Sequence, residues 1–118
     1  MIVHRAWRIL GSASLLMLAL GGLHLAAAAP PPHPAAVEVK IDNFSFAPAA
    51  LVVQAGTTVT WVNHDDIPHT VVSTDNDKTF KSKVLDTDEK FTYVFAKPGR
   101  YPYFCSVHPK MTGEVVVK

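Results

Sequence analysis

From Val37 onward the apolar residues come in short runs, several of them at every second position, and nothing there sustains the i, i+3, i+4 spacing of an amphipathic helix over ten residues. Val37, Val39 and Ile41 alternate with Glu38 and Lys40. Leu51–Val53 is short and apolar, and Gly56 punctuates the turn after it. Thr57–Val62 is rich in β-branched residues and carries Trp61. His69–Ser73 resumes the strand signal after Pro68, and Phe80–Leu85 repeats it more weakly. Phe91–Phe95 is strong and stops at Lys97-Pro98-Gly99, Arg100–Cys105 holds Tyr101, Tyr103 and Phe104, and Gly113–Lys118 contains Val115-Val116-Val117. Seven or eight short strands with turn residues between them predict an all-β sandwich or barrel. The polar stretch Asp75–Lys78 reads as a loop. Asp86, Asp88 and Glu89 read as a solvated turn beside Lys81, Lys83 and Lys90, where exposed pairs contribute little.

The first 28 residues carry a different signal. His4, Arg5 and Arg8 form a basic start, Ile9–Leu25 is apolar apart from Ser12, Ser14 and His24, and four alanines precede Pro30. This is the pattern of a secretory signal peptide, with cleavage expected after Ala28. The alternative is an uncleaved anchor, since the run approaches the roughly 20 residues that span a bilayer. Arg5 and Arg8 are not adjacent, so a twin-arginine signal is not indicated. The expected organisation is a signal peptide over 1–28, a stiff Pro-rich spacer over 29–36 and one domain over 37–118. The expected location is the periplasm.

Charge and sulfur narrow the function. The formal net charge of +1 gives no support to nucleic-acid binding. A single Cys excludes an intrachain disulfide, CxxC redox chemistry and zinc fingers. Once the leader is removed, Cys105 and Met111 are the only sulfur-bearing residues left. They stand in Cys105-Ser-Val-His108-Pro-Lys-Met111, which offers a thiolate, an imidazole and a thioether, with His69 a second imidazole from a separate segment. Thiolate and thioether select Cu(I), imidazole also suits Cu(II), and two His with one Cys and a weak axial Met make the blue-copper electron-transfer site. Turns through Ser106-Val107 and Pro109-Lys110 would return His108 and Met111 toward Cys105. Zinc would leave Met111 unexplained. A Cys–His hydrolase lacks a third orienting residue in sequence and room for a substrate cleft in so small a domain. His64 reads as a surface loop residue, His33 as part of the spacer, and Trp61, Tyr101 and Tyr103 as core.

The run Trp61-Val62-Asn63, then Pro68-His69, then Pro98-Gly99-x-Tyr101-x-Tyr103-x-Cys105-x-x-His108-Pro109-x-Met111-x-Gly113-x-Val115-Val116-Val117 resembles the cupredoxins, the type 1 blue copper proteins, and among them the amicyanins. The short Cys-x2-His-x2-Met loop carries that likeness. The resemblance implies a Greek-key β-sandwich with one copper ion at one end, held by His69, Cys105, His108 and Met111, with the Pro68 carbonyl nearby. Thr70 departs from the Asn usual after the first His, although a backbone N–H there can still reach the Cys sulfur. The function implied is that of an exported one-electron carrier, not an enzyme. The alternative is a periplasmic copper-binding or copper-delivery protein. Partners are expected to be redox proteins that meet a monomer transiently through an apolar patch at His108, formed by Ile67, Pro68, Val107 and Pro109. Lys110 and the Asp65-Asp66 pair are expected to bias that encounter by charge.

Overall fold

A computed structural model of the chain describes residues 36–118, together with Gly11, Gly21, Gly22, Leu23 and Ala26. The expected leader and all of the expected spacer except Ala36 otherwise lie outside the described residues. Eight strands follow in order: β1 (Ala36–Asp42), β2 (Ser45–Ala47), β3 (Ala50–Val53), β4 (Thr57–Asn63), β5 (Val72–Ser73), β6 (Lys90–Phe95), β7 (Gly99–Phe104) and β8 (Thr112–Val117). No helix occurs among the described residues.

The strands form two four-stranded sheets, ordered β2-β1-β4-β6 and β3-β8-β7-β5. Each sheet has one parallel pair, β1 with β4 and β3 with β8, and the remaining pairs are antiparallel. Parallel neighbours cannot be joined by a tight hairpin, and the chain changes sheet at every connection from β2–β3 to β6–β7, so that each parallel pair is linked through the opposite sheet. The result is a Greek-key β-sandwich, as the cupredoxin likeness implies.

Alternation decides which side chains meet between the sheets. In β1, Val39 and Ile41 are fully buried while Glu38 and Lys40 are exposed. Trp61 of β4 lies at the centre, with ring centroids of Phe80, Phe91, Phe95 and Tyr103 between 5.4 and 6.2 Å away. Aromatic side chains bury large apolar areas, and mutual edge and offset contacts add about 0.5–1.5 kcal/mol per pair. Phe46 of β2 is buried and packs edge-on to Tyr103 at 4.7 Å.

Two local expectations change. Phe80–Leu85 is not a strand: it makes only the isolated bridges Val72↔Lys81 and His69↔Leu85. Its two anchors, Phe80 and Leu85, are buried, and Ser82 between them accepts from the Val71 N–H and donates to the Lys83 carbonyl. Those bonds replace a regular ladder. Conversely, Ser45–Ala47 is a strand that its sequence does not announce, because three residues carry too little periodicity to read.

Candidate metal centre

Two connections meet at one end of the sandwich. One is the hairpin that joins β7 to β8, where Phe104 pairs with Thr112 and the seven residues between them form a closed loop. The Cys105 N–H donates to the Met111 carbonyl at 3.0 Å, that of His108 to the Cys105 carbonyl at 3.2 Å, and that of Met111 to the His108 carbonyl at 2.8 Å. These bonds wind the loop into consecutive tight turns and bring Cys105 Sγ to 3.7 Å from His108 Nδ1. Cys105 and Met111 are buried and His108 is half-buried. Gly113 follows because Tyr103 lies against it: a Cβ there would sit 2.8 Å from Tyr103 Cε2 and closer still to the end of the ring.

The other connection runs from β4 to β5 and supplies His69. The expectation of a strand at His69 is not met: β5 begins only at Val72. His69 is instead pinned by a bridge in which its N–H donates to the Leu85 carbonyl at 3.1 Å and its carbonyl accepts from the Leu85 N–H at 2.8 Å. Asn63, fully buried at the end of β4, braces the same segment. Its amide nitrogen donates to the carbonyls of Ile67 and Leu85, and its amide oxygen accepts from the Asp65 N–H, each at 2.9 Å. His69 is fully buried with Nδ1 3.8 Å from Cys105 Sγ.

The ligand atoms of His69, Cys105 and His108 thus lie within 4.8 Å of one another. Met111 is placed beside them by the loop bonds and lines a cavity of about 470 Å³ with Phe44, Val107, His108, Pro109 and Lys110. His64 is exposed and faces Glu38 at 3.7 Å, away from this group. Trp61 and Tyr103 are core residues, and Tyr101 is partly buried against the core.

The surroundings favour a thiolate. Burial pushes the Cys105 thiol up, but the Thr70 N–H at 3.3 Å, the two imidazoles and the Thr70 hydroxyl at 3.7 Å outweigh it and bring the pKa down to about 6. Thr70 also ties the two connections together. Its Oγ1 accepts from the Ser106 N–H and pairs with the Ser106 hydroxyl, both at 2.7 Å. One threonine side chain thereby joins the His69 segment to the Cys105 loop directly.

Asp65 corrects an expectation. It is buried, not an exposed steering charge; Asp66 alone of the pair is exposed. Its Oδ2 accepts from His69 Nε2 at 3.0 Å and from the Phe44 N–H at 3.2 Å. The His69 bond, with the Phe44 N–H, holds the carboxyl below its ordinary range. A carboxylate on the distal nitrogen fixes the ring's tautomer and orientation and leaves Nδ1 free to act as a ligand. The i, i+4 relation of Asp65 and His69 is a signal that sequence could have offered. Phe44 has no such signal in sequence; its ring lies edge-on to His108 at 5.0 Å and to His69 at 5.8 Å.

This donor set fits copper. The nearby carboxylate is turned toward His69 and Phe44, so the cluster offers nitrogen and sulfur, which suit copper and not a hard cation. A cupredoxin-like domain model matches residues 12–117. The chain is 34% identical over 104 residues to amicyanin-alpha of Methylorubrum extorquens, covering 86% of this chain and 85% of that one. It is also 34% identical to amicyanin of Paracoccus versutus over 70% of this chain, and spans 65% of that relative's length. Among solved structures, a purple cupredoxin from Nitrosopumilus maritimus superposes with a TM-score of 0.66 at 35% identity, covering 70% of this chain and 99% of that one. A reduced amicyanin variant superposes at 0.67 with 31% identity, covering 70% and 82%. The family match runs over nearly the whole chain, and the sandwich that it implies brings a thiol between two imidazoles: the chain belongs to the cupredoxins.

Proposed function

We propose that the protein is an exported one-electron carrier in which His69, Cys105, His108 and Met111 would hold one copper ion. The observation that carries this reading is the convergence of Cys105 Sγ with two imidazole Nδ1 atoms, 3.7 and 3.8 Å away, from two separately braced connections. Copper, when bound, supplies the Cu(II)/Cu(I) couple. The protein's part is to keep one ligand geometry for both oxidation states. Asn63, the Leu85 bridge and Asp65 hold His69, the loop bonds hold His108, and the Thr70 N–H bonds the sulfur. A hydrogen bond to the thiolate draws electron density from it, which tunes the potential.

His108 is the half-buried ligand and serves as the electron exit. Val107 and Pro109 are exposed on either side of it in sequence, Pro68 is exposed next to His69, and Phe44 reaches His108 from the β1–β2 turn. This apolar rim suits a small, transient contact with a redox partner, with Lys110 and Asp66 as flanking charges. The likeness to proteins named amicyanin supports the carrier role, and a periplasmic monomer without catalytic activity of its own completes the reading.

The test is a visible spectrum after addition of Cu(II). The expected result is a strong thiolate-to-copper band that Cys105→Ser abolishes. A protein that stays colourless with Cu(II), or a band that survives in Cys105→Ser, overturns the reading.

A further inference from the structure

The turn between β1 and β2 is built at a cost. Asn43 and Phe44 are consecutive non-glycine residues with φ of 47° and 56°, a left-handed conformation that a bulky side chain rarely adopts. Its product is an exposed aromatic: Phe44 keeps 52% of its surface in solvent, whereas Phe46 two residues later keeps 3%. Strain and exposure in one residue need a compensating role.

Two contacts point to that role. The Phe44 ring meets both His108 and His69 edge-on, at interplanar angles of 88° and 89°, and forms one wall of the cavity beside His108 and Met111. The Phe44 N–H donates to Asp65 Oδ2, the same oxygen that accepts from His69 Nε2. One buried carboxylate oxygen therefore fixes a histidine of the metal centre and the backbone that carries the ring lying over it.

We propose that Phe44 is the cover of the metal centre and Asp65 its latch, so that small ligands from solvent are kept off the copper and only electrons pass. The proposal rests on the copper reading above. Asn43 and Phe44 hold a conformation that places an aromatic edge over two imidazoles, and Asp65 holds that conformation with the oxygen that already orients His69. Opening the turn would expose His108 and the cavity wall at Met111 to water and small anions.

The test uses the full chain loaded with Cu(II), with azide as the probe and the thiolate band as the readout. Phe44→Ala should tighten azide binding by about tenfold, the size of an edge-on aromatic contact. Phe44→Leu, which keeps apolar bulk but not the aromatic edge, should fall between. In the copper-free protein, Asp65→Ala, which removes the accepting oxygen, should speed hydrogen exchange at the Phe44 amide while the β4 amides stay protected, which shows the latch without the metal. Blue Phe44→Ala with wild-type azide affinity overturns the cover, and unchanged Phe44 exchange in Asp65→Ala overturns the latch. A wild-type protein that gives no blue form overturns the copper reading and the cover with it, a result distinct from either.

Discussion

The two connections that build the metal centre are held in different ways. The segment from Asn63 to Thr70 is fixed by buried and part-buried side-chain hydrogen bonds to distant parts of the chain: Asn63 to Leu85, Asp65 to Phe44, Thr70 to Ser106. The loop from Cys105 to Met111 is shaped by bonds among its own backbone groups, and its central ligand is half-buried. One connection is braced at several points by the scaffold, while the other relies on its own backbone bonds and on the single tie to Thr70. An electron carrier gains from this asymmetry, because a deep ligand can hold geometry while a shallow one meets the partner.

Asn63→Ala strikes the deep connection hardest. It leaves the Ile67 carbonyl and the Asp65 N–H without this partner and the Leu85 carbonyl with the His69 N–H alone. The expected loss is about 3–5 kcal/mol in denaturant unfolding of the copper-free protein, with weaker copper retention through His69. A loss below about 1 kcal/mol would mean that the deep segment is not the rigid one.

Next in size is Gly113→Ala, at the exit of the shallow loop. The new methyl group meets the Tyr103 ring, a buried group packed against Trp61 and Phe46, so the ring has little room to yield. Overpacking of this kind costs about 1–3 kcal/mol, read as a lower thermal midpoint. If the loop side is the softer one, the backbone shifts instead and the cost falls at the lower end.

The smallest effect is expected at the seam. Thr70→Val keeps the shape but removes the oxygen that accepts from the Ser106 N–H. Water can reach exposed Ser106, so the expected cost is about 1 kcal/mol. The thiolate band should shift, because the Thr70 hydroxyl also faces Cys105 Sγ at 3.7 Å. An unshifted band would assign all tuning on that side to the Thr70 backbone N–H.

How much of the molecule is legible in the sequence depends on whether a residue announces its chemistry. The long strands are readable because Val39 and Ile41 alternate with charged residues in β1, and Val59 and Trp61 with Thr58 and Thr60 in β4. The three residues of β2 and the irregular Phe80–Leu85 segment are not, since pairing there depends on partners elsewhere in the chain. Cys105 and His108 stand out by residue type and spacing, and His69 through the Pro68-His69 pattern. Asp65 carries a charge that in sequence reads as surface; only the fold reveals that its oxygen faces a buried imidazole. Phe44 has no marker at all, because its position follows from two backbone torsions and not from its neighbours.

The place of β8 has a bearing on assembly. This strand, the last of the eight in sequence, is an interior member of its sheet, bonded on one side to β3 and on the other to β7. Neither the hairpin that presents Cys105, His108 and Met111 nor the pairing with residues 50–53 can close until Thr112–Val117 is available. Contacts of such long sequence separation form slowly. A growing or translocating chain would therefore have His69 in hand well before it had a metal site, and copper loading becomes a late event that reports a completed fold.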